Sequence, residues 1–380
     1  MRHTCGMHRR VMLKDPETSE RWGIRCDGLD TVITTGDAGS PGEQRETHES
    51  LELARQYAER AELQQLRRGL KLHDPKPEPC RPHVLLGLRG TYTGTLPMAS
   101  LEGVLLCTDD TVNYTELLAV NPLGGTRSLA RISPTSRISE LAYAAGAPVF
   151  AIVDHAVSVL HTKDAALYEI VPPSGLPASI IQRVGTLAVW FDQGHVVVRD
   201  FSTDEDIVRI PAEPVMYGGH TAQLAVALSP DGNRLALCVK PGEIAIITVA
   251  TGEVERTIYG RFEMIRHLFF ADGGRWLIAK EEYGACALLC IDVETGRRRE
   301  GWPNFGNLGV AHIALDASGT RIAIAGPFDL MRIFDLRTFT LRHVFRVDHV
   351  SKRFTAEWTA DDRVATRTDL GVVGIYSVPK

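Results

Sequence analysis

His267 and His312 are the residues best placed by type and spacing to do chemistry, each three residues before the last apolar residue of a short strand-like run, Phe270 and Leu315. An imidazole can ligate a metal or move a proton near neutral pH. Repeated placement would carry both toward a common axis, where Asp154, His155 and Asp192 could join them. Neither histidine has a carboxylate at a matching position in its own repeat, so the two complete neither a metal set nor an acid/base couple. His3, Cys5 and His8 match no closed zinc spacing. Cys286 and Cys290 have apolar neighbours in LLCI, which points to burial rather than redox exchange. The motifs GxSxG, HExxH and CxxC are absent. No catalytic residue, cofactor or metal ligand is therefore expected.

A second chemical possibility is the stretch ITTGDAGSPGEQ, residues 33–44, which packs three glycines and a proline between a strand-like run and a helix. A Walker loop needs GxxxxGK[ST], with a lysine to reach the phosphates. Here Gly36 and Gly42 are separated by five residues, Glu43-Gln44 stands where Lys-Ser is needed, and Asp37 and Glu43 repel an anion. GxGxxG is also absent, and no βαβ pattern follows. The stretch reads as a structural turn.

The elements around these residues fall into two regions. WGIRCDG (22–28) and TVITT (31–35) read as strands about an Asp27-Gly28 turn. From Ser50 as N-cap, LELARQYAERAELQQLRR reads as a helix stopped by Arg67, Arg68 and Gly69. LHDPKPEPCRPH, residues 72–83, holds four prolines and reads as a stiff spacer. Beyond it, short apolar runs recur after polar turns in LSPDGNRLALCV (228–239), FFADGGRWLIA (269–279), LDASGTRIAIA (315–325) and WTADDRVATR (358–367). Their turn residues Gly232, Gly273, Gly319 and Asp362 lie 41, 46 and 43 apart. Fainter copies near Leu105, Val149 and Leu187 bring the count to seven units, each the size of a four-stranded propeller blade. Such sheets have two apolar faces that only neighbours can cover, so a ring is expected, with PHVLLGL (82–88) pairing with GVVGIYSV (371–378) to close it.

Ser229-Pro230-Asp231-Gly232 and Gly219-His220, set in these repeats, resemble WD40-type β-propeller sequence over residues 82–380. The family's Trp-Asp ends are held by Val249-Ala250, Ile291-Asp292 and Phe334-Asp335. Ser19-Glu20-Arg21-Trp22, Asp27-Gly28, the 33–44 glycines and the helix from Ser50 to Gly69 together resemble the WGR domain. That family occurs in DNA-dependent poly(ADP-ribose) polymerases, and the resemblance implies an aromatic plane and a cation near a DNA end. Here the name-giving triplet falls on Thr35, Gly36 and Asp37, which offer neither. The expected fold is thus mainly β: a WGR-like α+β module at 14–72, a proline-rich linker at 73–81, and a seven-bladed WD40-like propeller at 82–380.

Composition narrows the function. The net charge is −5, with 13 Lys plus Arg against 14 Asp plus Glu up to residue 80 and 29 against 33 beyond it, so neither region is a basic domain. Seven scattered cysteines, no apolar signal core behind MRHTCGMHRRVMLK and no run of about 18 apolar residues point to a reduced cytoplasmic location, away from membranes. The expected function is non-enzymatic protein binding or scaffolding. Tyr217, His220, Trp302, Phe305 and Phe328 in or beside inter-strand loops would serve as anchors for a protein partner. The alternatives are nucleic-acid binding through the WGR-like module, which the loss of Trp and Arg disfavours, and an enzyme with a central-channel site.

Overall fold

A computed structural model describes residues 10–379 apart from 16, 19, 37–41, 90–95, 102, 112, 134–137, 143–148, 154–155, 162–165, 172–181, 218–220, 283–287, 303–311 and 327–328. Its N-terminal region is an antiparallel sheet of β1 (Arg10–Lys14), β2 (Arg21–Asp27), β3 (Asp30–Gly36) and β4 (Gly42–Thr47), in that order. Helix α1 (Leu51–Arg67) packs across it. Ser50 caps α1 as expected, its side chain accepting the Leu53 N–H. The buried face of the helix, Ala54, Ala58, Glu62 and Leu66, has the spacing of one helical stripe.

The rest of the chain is a succession of antiparallel sheets, most with four strands, each built from consecutive segments: 98–132, 138–171, 182–211, 225–259, 265–292 and 312–346. In the 265–292 sheet a single bridge, Ile291 to Arg298, stands where a fourth strand would run. The last sheet differs in origin. Strands Phe354–Trp358, Arg363–Thr368 and Val372–Ser377 are joined by β6 (Pro82–Gly87) and then by β5 (Leu72–His73). The expected pairing of PHVLLGL with GVVGIYSV is present in register, with Val84 opposite Ile375 and Leu86 opposite Val373.

The core lies between sheets rather than within any one of them. Leu268, Leu277 and Leu289 face Ala227, Ile244 and Ile258 of the preceding sheet. Val84, Leu86, Val373 and Ile375 of the last sheet meet Leu105, Cys107 and Val120 of the first. Alternation along each strand sends successive side chains to opposite neighbours, so every sheet contributes to two such layers. Charge pairs also cross between sheets. The Arg321 guanidinium spans Asp316 at 3.0 Å and Asp362 at 2.7 Å over the Trp358 ring, and Arg234 joins Glu255 at 2.7 Å to Glu294 at 2.8 Å.

The four turn residues read from the sequence all adopt left-handed backbone: Gly232 at φ 73°, Gly273 at 65°, Gly319 at 64° and Asp362 at 64°. At Gly319 a Cβ would also stand 3.1 Å from the Asp272 nitrogen of the preceding sheet, so both conformation and space call for glycine.

The proline-rich stretch is no free spacer. Its start pairs with the strand that follows it, Leu72 with Leu85 and His73 with Val84, and Cys80 N donates to Ser377 O at 2.9 Å. The N-terminal region accordingly sits directly on the last sheet. Ala58, Leu66 and Leu70 share one apolar cluster with Trp22, Leu85 and Val372, and Lys14 and Lys71 exchange backbone hydrogen bonds at 2.9 and 2.8 Å. Within this junction the Glu62 carboxylate and the His349 Nε2 meet at 3.1 Å, with both side chains almost fully buried.

Candidate functional site

The first strands of several sheets carry backbone groups unpaired within their own sheet, and polar side chains from neighbouring sheets meet them. Gln223, fully buried, donates to Ile265 O at 2.8 Å and accepts from Ile265 N at 3.0 Å, so one amide clasps two sheets. Gln182 links Leu228 N to Leu268 O in the same way, and Thr355 Oγ1 donates to Leu96 O at 2.8 Å. These bonds satisfy groups that burial would otherwise penalise.

His267, His312 and Glu357 lie on the first strands of three sheets, which form this inner-strand wall, and Lys280 lies on the strand next to that of His267. His267 stands opposite Lys280 in the 265–281 hairpin. His312 Nδ1 accepts the Ala356 N–H at 3.4 Å, which leaves its proton on Nε2. Solvent reaches the His267 ring, but protein surrounds it, and burial, reinforced by the charge of Lys280, pushes its pKa down to about 3. Burial followed by Lys280 brings His312 down to about 4, and burial lowers Lys280 itself. Glu357 shifts the other way, raised to about 8 by burial against the Ser100 N–H that it accepts. At neutral pH both imidazoles are therefore uncharged and the Glu357 carboxyl is largely protonated.

The expected convergence on this wall is partial. His267, His312 and Lys280 influence one another electrostatically, but Asp192 is paired with Arg209 at 2.9 Å instead. Asp154, His155 and Cys286 lie outside the described residues. Among the described residues no group of three His, Cys, Asp or Glu side chains could hold a metal ion. Cys290 is buried and its thiol is pushed up to about 12, in keeping with a small core side chain.

Of the anchors expected for a partner, Trp302 lies in the core at 9% exposure. Its Nε1–H donates to Leu288 O at 3.0 Å, and its ring meets Phe339 edge-on at 5.3 Å, so it is spent on packing rather than presented. Tyr217 belongs to a two-stranded ribbon, Met216–Tyr217 with Thr221–Ala222. His220, Phe305 and Phe328 lie outside the described residues. In the N-terminal region Thr35 is exposed at the end of β3, opposite Trp22 on one side and Gly42 on the other. Gly36 has φ 115°, and Asp37 lies outside the described residues.

Sequence reading missed a stack beside Trp302. The Arg299 guanidinium lies 3.3 Å from the Phe339 ring centre and 4.3 Å from that of Trp276. It follows the bridge at Arg298, so a cation between two aromatic rings holds the segment beside the third strand of this sheet, where no fourth strand runs among the described residues.

No family model matches the sequence, and neither does any curated protein. Solved structures do match: a chain in a crystal structure of the mitotic checkpoint complex aligns with a TM-score of 0.58 over 81% of this chain and 99% of that one. The fold, mainly β with a succession of small antiparallel sheets, is consistent with a β-propeller. At 12% identity the likeness is one of architecture. No helix among the described residues is long and apolar enough to cross a membrane.

Proposed function

We propose that this chain is a non-enzymatic, cytoplasmic scaffold that binds a protein partner through a seven-bladed WD40-like propeller. In this reading the pairing of β6 with Val372–Ser377 closes the ring, and the WGR-like module is an accessory docking element fixed to the closing blade. The observation that carries it is the division of labour between core and loops: apolar layers and glutamine clasps hold the sheets. The loops are thereby free to vary without disturbing that core. The match to a component of a multiprotein assembly supports the same reading. The exposed Thr35 gives the module no stacking plane for a base, which favours protein over DNA as its partner.

The test is affinity capture of the full chain from native cells, comparing wild type with Tyr217→Ala, His220→Ala, Phe305→Ala and Phe328→Ala. A stoichiometric protein partner is expected, with capture reduced about tenfold or more by at least one loop substitution of hot-spot type. Capture insensitive to all four rejects these anchors. Recovery of nucleic acid in place of protein overturns the scaffold reading.

A further inference from the structure

A cleft of about 410 Å³ opens where the end of α1 meets the end of β6, lined by Arg67, Gly69, Gly87, Leu88, Arg89 and Asp109. Its charge runs against that of the whole protein, which is −5. Arg67 and Arg89 are both exposed on its walls. Arg67 makes one long hydrogen bond, to Leu370 O at 3.5 Å, and the Arg89 guanidinium makes no hydrogen bond or ion pair among the described residues. Behind the wall Arg367, fully buried, donates from Nη2 to Arg89 O at 3.2 Å, while its Nε and Nη1 have no hydrogen-bond partner among the described residues. Two exposed guanidinium groups thus line the cleft with one lining carboxylate, Asp109, and the buried Arg367 lies behind it. That carboxylate is already engaged by the Arg89 N–H at 2.6 Å. The helix end adds little negative potential, because Gln64, Gln65 and Leu66 carbonyls are capped by the Arg68, Leu70 and Gly69 N–H groups.

We propose that this cleft binds one oxyanionic side chain, a carboxylate or a phosphate, presented by an extended segment of a protein partner. Free guanidinium forks match such oxyanions in shape and charge. The volume suits a side chain with its flanking backbone, and Gly69, with open space on its side-chain side, leaves room for that backbone to approach. A nucleic acid is the poorer fit, since no aromatic ring lines the cleft for a base to stack on. The choice of a protein partner rests on the scaffold reading; the oxyanion site rests on the geometry alone.

The test uses the purified full chain and calorimetric titration with short Gly-Ser peptides that carry one central phosphoserine, glutamate or serine. The phosphoserine and glutamate peptides are expected to bind and the serine peptide not to. Arg67→Gln and Arg89→Gln should each weaken binding about tenfold, the loss of one charge-assisted hydrogen bond. Arg60→Gln, on the exposed part of α1 and outside the cleft, should leave it unchanged. Equal binding of the serine peptide, or insensitivity to both cleft substitutions in a folded protein, overturns the proposal. So does a preference for duplex DNA with steep salt dependence. Because the probes are defined peptides, failure here is separable from failure to capture a cellular partner.

Discussion

Replacing Glu357 by Gln removes a carboxyl of the inner-strand wall that folding drives into its protonated form, while keeping an oxygen for the Ser100 N–H. In the unfolded chain this group ionises near its ordinary value of 4.5; in the native protein burial raises it to about 8. Between those values the native state holds a proton that the unfolded chain has released. The Glu357 contribution is therefore fully favourable below pH 4.5, is lost as pH rises, and has reached its full penalty above about 8. At about 1.4 kcal/mol per pH unit the interval sets an upper bound of about 5 kcal/mol. Solvent reaching this partly exposed side chain should reduce the observed loss to about 1–2 kcal/mol. His267 and His312 act oppositely. Their native values of about 3 and 4 lie below 6.5, so they cost stability as pH falls. Both remain in the variant, and their effects cancel when it is compared with wild type. Urea unfolding from pH 5 to pH 9 should show Glu357→Gln gaining about 1–2 kcal/mol on wild type as pH rises, with an unchanged m-value. A difference that stays constant across that range would refute the protonation of Glu357 in the native state.

Two further substitutions probe the packing described above. Gly87→Ala should destabilise by about 1–3 kcal/mol, because the new Cβ would press on Leu66 O, Leu66 C and Arg67 N, backbone atoms with little room to give; proteolysis should also cut earlier near the end of α1. Arg299→Ala should lower the urea midpoint by the equivalent of about 1–2 kcal/mol, and Arg299→Lys should fail to restore it, since a point charge cannot stack between Phe339 and Trp276 as a planar guanidinium does.

What the sequence disclosed and what it hid follow from the range of the interactions involved. Gly232, Gly273, Gly319 and Asp362 were legible because a left-handed turn is a local demand that few residue types meet. Strand β6 and its partner were legible because both are apolar runs at the two limits of the repeating region. Trp302 was not. Its polar, glycine- and proline-flanked neighbourhood reads as surface, and nothing nearby announces that Leu288 O awaits its indole N–H. The prolines of 72–83 correctly excluded a helix, but composition carries no sign that Leu72 and His73 would turn back onto Leu85 and Val84. Glu357 looks in sequence like an ordinary outward position of an alternating strand; only the sheet beside it makes the position costly. The basic cleft needs Arg67, Arg89, Asp109 and Arg367, which come together only after the N-terminal region has settled on the last sheet.

The partnership of β6 with Val372–Ser377 bears on how the chain comes off the ribosome. Pro82–Gly87 emerges before all the sheets that separate it in sequence from its neighbour, Val372–Ser377. Until that neighbour emerges Leu85 and Val84 lack the strand that covers their edge, and α1, which packs on β6, has only half of its final seat. The intervening sheets can form from consecutive strands as they appear, each a local event. The final pairing is the long-range step, and it fixes the N-terminal region in place at the same moment. A chain stalled within the last repeats would hold folded sheets beside an open edge, the state most prone to pair with a second copy of itself.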